Sequence, residues 1–479
     1  MIFRHFLSTL CRAALLAFVI NGLAGCVHYQ ARPLSPEKTA AALAARSLND
    51  DGLHRFLAEN LGRDFEVWPP AAWDFDLLAL AAYYYQPNLD VARAEWKVAT
   101  AGKVTAGERP NPSVSLSGTY DTTTPPPWIP GVTFDIPIET AGKRGYRLAQ
   151  AQYLADAARW NLLAAVWRVR SGVRAALLDL YSAHETESLL ARQEAAQSDV
   201  VRLFEGQLAA GNVAGFEVTQ ARIALDATRL ARLQAQRQDA EALASLADAI
   251  GLPVAALQDV PLSFAGLNEF PTTLTAPEVR RQAIVNRADI RGTLAEYAAS
   301  QSALQIEIAN QYPDIHLGPG YEFDQTDNKW TLGVSLTLPV LNQNQGPIAE
   351  ARAKRELAAA HFLAAQARAV GEIDLALAGY QAARQQSATV GALLGNLRKR
   401  LDSVRAMQQA GELDGLAVAN AQVEFNTGAL SRLDALVKAQ QARGQLEDAL
   451  QSPLVLPAAV LQNAQTNPKQ THPTIDHEP

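Results

Sequence analysis

The sequence predicts an α+β membrane protein: four β-strands per chain, contributed to a barrel shared between copies and continued by long antiparallel α-helical coiled-coil hairpins. Three observations predict it. The chain repeats itself at an offset of roughly 200 residues, and such a period is sought before any element is assigned. Each copy opens with two segments in which apolar and polar residues alternate. Each then runs on through a long proline-free stretch with helical spacing of its apolar residues.

Composition bounds the reading. Of 479 residues, 48% are apolar and 19% charged, which is folded rather than disordered material. Only 7% are aromatic while alanine abounds, which suits long helices packed through small side chains. A net charge of −7 argues against nucleic acid as a partner, where a basic stripe is expected.

At the N-terminus, Arg4 and Arg12 flank a short basic region, and Ala13 to Ile20 is apolar but too short to span a bilayer. Leu23-Ala24-Gly25-Cys26 resembles the lipobox of bacterial lipoproteins, which implies removal of 1–25 as a signal peptide and acylation of Cys26. The alternative is a plain signal peptide with an incidental cysteine. Val27, where an aspartate marks inner-membrane retention, implies the outer membrane. Cys11 would leave with the signal, so one cysteine remains, and no disulfide framework or thiolate metal site is expected. The covalent lipid is the one added group expected; no cofactor is. No later segment reaches about 18 uncharged apolar residues, so any crossing of a membrane must use strands.

The repeat is carried by four landmarks in the same order. Pro112 opens Pro-Ser-Val-Ser-Leu and Pro313 opens Pro-Asp-Ile-His-Leu. Phe134-Asp135-Ile136-Pro137-Ile138 returns as Leu336-Thr337-Leu338-Pro339-Val340, and Gln207 to Asn212 returns as Met407 to Glu412. Beyond the glycines, Phe216, Ile223, Leu230 and Leu233 answer to Leu416, Val423, Leu430 and Leu433.

Within the first copy, Val114, Leu116, Gly118 and Tyr120 alternate with Ser113, Ser115, Ser117 and Thr119. After a proline-rich loop, Pro125 to Pro130, the residues Val132, Phe134, Ile136 and Ile138 do the same. In the second copy the alternating residues are Ile315 to Phe323 and, past an Asp324 to Asn328 turn, Trp330 to Leu338. Strands are expected at about 112–121, 131–139, 313–323 and 329–339, the length a tilted strand needs to cross the hydrocarbon layer. Tyr120, Tyr321, Phe323 and Trp330 lie toward the loop ends, where an aromatic girdle belongs. A soluble hairpin with one face on a core is the other reading of each pair.

Helical spacing follows in both copies: Val166, Val169, Val173, Leu177 and Leu180, then Val390, Leu394, Leu397, Leu401 and Val404. Helices over about 143–209 and 347–409 would each be roughly 100 Å long. Gly211 and Gly411 end them, as glycine does by entering the left-handed region, and mark hairpin tips with returning helices beyond.

The chain therefore divides into 1–25, a lipid-anchored segment 26–74, a first repeat 75–250, a linker 251–276, a second repeat 277–452 and a disordered, proline-bearing polar tail 453–479. Four strands are too few for a barrel, and an open edge cannot be left in lipid. Closure requires a cyclic homo-oligomer of two, three or four copies; the strand count does not choose.

The duplicated order, the junctions at Ile136-Pro137-Ile138 and Leu338-Pro339-Val340 and the glycine tips resemble the TolC family of outer-membrane efflux proteins, over roughly 75–452. The resemblance implies a homotrimer with a 12-stranded barrel and a periplasmic helical tunnel, 251–276 forming an equatorial belt. It also implies a periplasmic adaptor at the tips (Gly211, Asn212, Gly411, Glu412) and an inner-membrane pump that supplies the energy. Glu139-Thr140-Ala141-Gly142-Lys143-Arg144-Gly145 resembles the heavy-metal branch of that family; on residue chemistry alone it is a glycine turn with Lys143 and Arg144 near headgroups.

Related channels narrow just past the second tip with inward aspartates. Ala417 and Asn420 stand at those positions here, so only Asn420 is polar; Asp414, and Glu217 and Gln220 of the first copy, are the other candidates for a constriction ring. Solvated charges, or an adaptor-docking surface, are the other reading of these side chains.

Catalytic constellations are absent from the sequence: the histidines are scattered, and no G-x-S-x-G, P-loop or dinucleotide motif stands at a strand–helix junction. The expected function is a passive exit duct for solutes, heavy-metal cations or drugs, and not an enzyme. A duct for protein secretion and a structural periplasmic coiled-coil lipoprotein are the alternatives.

Overall fold

Alternation becomes strand and proline-free spacing becomes helix. The computed structural model describes residues 29–123, 125–268, 281 and 283–452. The expectations for the signal peptide, Cys26 and Val27, linker residues 269–276 and the 453–479 tail lie outside them. The chain divides into two units, Met1–Arg46 and Ser47–Pro479. Helix α1 (Pro36–Ala44) belongs to the first; it opens on a proline, and the Ser35 side chain accepts from the Lys38 amide to cap it.

The second unit runs α2 (Asp51–Leu61), α3 (Phe75–Tyr85), α4 (Pro87–Gly107), β1 (Ser113–Tyr120), β2 (Trp128–Ile138), α5 (Lys143–Ala209) and α6 (Gly215–Ile250). After short 3-10 turns come α7 (Ala288–Ala309), β3 (Ile315–Asp324), β4 (Asp327–Leu336), α8 (Gln345–Gln409) and α9 (Gly415–Leu450). The 67 residues of α5 and 65 of α8 make each roughly 100 Å long.

The strands form one antiparallel sheet in the order β1-β2-β3-β4, so β1 and β4 are its free edges. Two strands, β2 and β4, differ most from the sequence expectation. Strand β2 begins at Trp128, inside the expected proline-rich loop, because Trp128 pairs with Tyr120 and Pro130 with Gly118. Pro130 lies beyond the last residue paired with β3, an edge position that tolerates a missing N–H. Strand β4 begins at Asp327, paired with Asp324 across a tight turn in which Gln325 takes a φ of 59°, and ends at Leu336 rather than 339.

The main core sits at the base of the first hairpin, where Leu53, Leu57, Leu78 and Leu89 pack with Val173, Leu177, Leu246 and Ile250. The segment grouped with the N-terminal anchor contributes to it: Leu48, Leu53, Phe56, Leu57 and Trp73 are all core residues. The Trp73 amide donates to the Pro261 carbonyl at 2.8 Å, and the Ser263 amide donates to the Trp73 carbonyl at 2.9 Å, tying this segment to the linker. Smaller clusters join α8 to α9 (Ile373, Tyr380, Leu446) and α5 to α9 (Leu178, Leu189, Leu433, Val437).

Candidate functional site

Cross-strand register sorts the sheet into two faces. Val114, Phe134, Val132, Leu317, Tyr321, Val334 and Trp330 share one face; Ser115, Thr133, Asp135, His316, Glu322 and Ser335 share the other. The apolar face is bare: Leu116 is 83% exposed, Trp330 80% and Leu332 73%. Its aromatic residues gather at the loop end, Tyr120 against Trp128 and Tyr321 against Trp330, with ring centroids 5.0 and 4.8 Å apart. A wide apolar face exposed on a folded chain marks a surface awaiting lipid or a partner.

At the junction of sheet and hairpin, the Glu139–Gly145 motif is a set of internal ties. Ala141 and Gly142 turn the chain with positive φ. Lys143 Nζ pairs with Asp314 Oδ1 at 2.7 Å, the Thr140 amide donates to the same oxygen at 3.0 Å, and Arg147 pairs with Glu139. Burial works against ionisation of Asp314, but Lys143 and the Thr140 amide outweigh it and hold the carboxyl below its ordinary value. Arg144 Nε donates to the Gly107 carbonyl at 2.6 Å. Both cations expected to face headgroups are thus spent inside the chain, because the turn brings them against β3 and the end of α4. Beside this turn lies an open apolar groove of about 590 Å³ lined by Ala141, Tyr312, Pro313, Ile315 and Leu336.

The two hairpin tips are built alike. Gly211 and Gly411 take φ of 76° and 80°. The amides of Asn212 and Glu412 reach back to the carbonyls of Gln207 and Met407 at 2.9 Å each, closing the helix end as a Schellman turn. All four residues are exposed. The candidate constriction residues lie at the starts of the returning helices, Asp414 just before α9 and the others within the first two turns. Asp414 caps α9, accepting from the Ala417 amide at 2.9 Å, and Glu217 accepts from the Ala214 amide at 2.7 Å. Gln220 and Asn420 are exposed and Ala417 half-buried. The structure therefore gives Asp414 and Glu217 a capping role that spacing alone did not reveal.

Two constellations escaped sequence reasoning. At the base of the hairpins Glu447, 1% exposed, accepts from Arg170 and Arg174 at 3.0 and 2.5 Å on one oxygen and from Arg443 at 3.2 Å on the other. Asp448 beside it takes the Trp167 indole N–H at 3.0 Å. Burial pushes Glu447 up, but the three arginines outweigh it and hold the carboxyl below its ordinary value. On the polar face of the sheet, His316 Nδ1 lies 2.9 and 3.1 Å from the two oxygens of Asp135. Their separations along the chain, 181 residues for the histidine pair and 277 for Arg170 with Glu447, left no local signal.

Among the described residues no helix is long and apolar enough to cross a membrane, and no group of three or more His, Cys, Asp or Glu side chains is gathered for a metal ion.

Comparison with known proteins matches this architecture. The cobalt-zinc-cadmium resistance protein CzcC of Cupriavidus metallidurans is 25% identical over 283 residues, 58% of this chain and 65% of that protein. The pyoverdine export outer membrane protein OpmQ of Pseudomonas aeruginosa is 29% identical over 182 residues, 36% of this chain and 38% of that one. The matches thus span less than two thirds of these curated relatives. The crystal structure of the Campylobacter jejuni CmeC outer membrane channel superposes with a TM-score of 0.65 at 15% identity, covering 92% of this chain and 98% of that one. That likeness is one of fold. The model of the outer membrane efflux protein family matches residues 82–252 and again 279–451, well over half of the sequence, and the chain belongs to that family.

Proposed function

We propose that three copies of this chain form the outer-membrane exit duct of a tripartite efflux system, four strands from each closing a 12-stranded barrel that the hairpins continue as a periplasmic tunnel. The observation that carries this reading is the sheet: one face apolar and bare, the other polar, both edges unpaired, and two hairpins of roughly 100 Å leading away from it. An even number of antiparallel strands lets β4 of one copy meet β1 of the next in antiparallel pairing, a head-to-tail contact that closes into a ring. Lipid then covers the apolar face, and the polar face lines the lumen.

The remaining roles follow from this assembly. Cys26 carries a lipid anchor in the outer membrane. The tips at Gly211, Asn212, Gly411 and Glu412 meet a periplasmic adaptor, and an inner-membrane pump supplies the energy to a duct that is itself passive. Rings of Asp414, Glu217, Gln220, Ala417 and Asn420 line the narrow tunnel end. Metal cations lead as the exported solute, with organic toxicants next, supported by the resemblance of the Glu139–Gly145 stretch and by kinship to a relative named for cobalt-zinc-cadmium resistance.

Purified full-length protein should give a trimer mass in detergent and ion conductance in planar bilayers, and acylation should disappear in Cys26→Ser. A monomer without conductance would overturn the reading. Growth of a deletion strain on a panel of metals and drugs names the solute.

A further inference from the structure

The histidine on the sheet is held in place by a carboxylate. His316 lies on β3, paired in register with Pro137 of β2 and Ser335 of β4, on the polar face. A carboxylate only accepts, so the Asp135 contacts at 2.9 and 3.1 Å put the imidazole proton on Nδ1. In the neutral ring Nε2 then carries the lone pair, with no protein partner among the described residues, on a side chain 41% exposed. A carboxylate that fixes the ring and leaves the far nitrogen basic is the outer-sphere arrangement behind metal-ligating histidines. The surroundings clear the way: Gly318 and Gly320 on β3 and Gly333 and Ser335 on β4 leave the imidazole and carboxylate as the tallest groups at this level of the face. Toward the loop end the same face and its turn carry Glu322, Asp324 and Asp327 against Lys329, which draws cations in.

We propose that the His316–Asp135 pair is a transit site for a borderline divalent cation of the zinc, cobalt and cadmium class, bound through His316 Nε2 and otherwise by water. This inference rests on the duct reading for its place in the lumen and deepens it by naming the substrate class. Imidazole nitrogen selects such ions over magnesium and calcium, which prefer oxygen. A single protein ligand binds weakly and exchanges fast, as a conducting path requires: favourable enough to enter, weak enough to leave. Three copies in a trimer would set three such sites at one level of the barrel.

The test uses full-length protein without a histidine tag, stripped of metal and titrated with zinc chloride by calorimetry. Wild type should show one site per chain that is lost in His316→Ala and in His316→Gln, the second keeping side-chain bulk if the first misfolds. Asp135→Asn should weaken it by about ten- to a hundredfold, the range for losing the group that orients a ligating histidine. His184→Ala and His361→Ala should leave it, and magnesium chloride should give no site. In planar bilayers zinc should reduce wild-type conductance and leave His316→Ala unaffected. Unchanged zinc binding in both His316 variants overturns the proposal. A wild type that conducts with no His316-dependent response to zinc also overturns it while leaving the duct intact. A wild type that never conducts overturns the duct, and the calorimetry still judges the site.

Discussion

Glu447 is surrounded by three guanidinium groups, and its charge is what makes that crowding tolerable. Glu447→Gln keeps the shape and removes the charge, leaving Arg170 and Arg174 buried against each other; the expected loss is about 3 kcal/mol, read from denaturant melts. The same residue sets a pH dependence. Its folded pKa lies below the ordinary 4.5, so its contribution is complete above that value and is lost as pH falls through the folded value. Asp289 beside Arg287 acts with the same sign. Asp76 acts against them: burial and Asp74 push its pKa up, so its protonation favours the fold, and that contribution fades as pH rises. Stability should therefore drop on the acid side, and the drop should be smaller in Glu447→Gln than in wild type. At the tip, Gly411→Ala forces a side chain into a φ of 80° and should cost about 1 kcal/mol, with the Gly211→Ala cost alike because the two turns share one geometry.

Strands and helices were legible in the sequence to the extent that their periods were clean. Alternation from Val114 and from Ile315 marks β1 and β3 because one face is apolar throughout; it failed at Trp128 to Pro130, where proline punctuation outweighed a cross-strand pairing that only the fold supplies. The site was half legible. Gly211 and Gly411 announce a left-handed turn locally, whereas the capping work of Asp414 and Glu217 needs the helix start, and Lys143 meets Asp314 only because β2 lies beside β3. The two faces of β4 give the sharpest test at this scale. Leu332 is 73% exposed in the single chain, so in water Leu332→Arg would be harmless. Against lipid it should cost about 2–4 kcal/mol, while Thr331→Arg, its neighbour on the polar face, should cost little. Urea unfolding of the protein folded into vesicles separates the two; equal costs would mean that the faces are not divided between lipid and lumen.

For the whole molecule, the two hairpins are alike in pattern and unlike in cover. Leu416, Val423 and Leu430 on α9 are half-buried within the chain, whereas their counterparts on α6, Phe216, Ile223 and Leu230, are 74%, 66% and 69% exposed, with Leu233 at 63%. The seven-residue spacing of the first three is that of a coiled-coil seam without its partner helix. Burying one such side chain is worth about 1.5–3 kcal/mol, so a stripe repeated at every interface of a ring contributes as much as a stable association requires. The sheet alone does not supply this, because its edges offer backbone pairing over one short strand on each side. Ile223→Asp with Leu230→Asp should therefore abolish the trimer mass in detergent while leaving the helical circular dichroism of the chain unchanged, since neither side chain packs inside it. Retention of the trimer would place this stripe in solvent and leave closure to the strand edges alone.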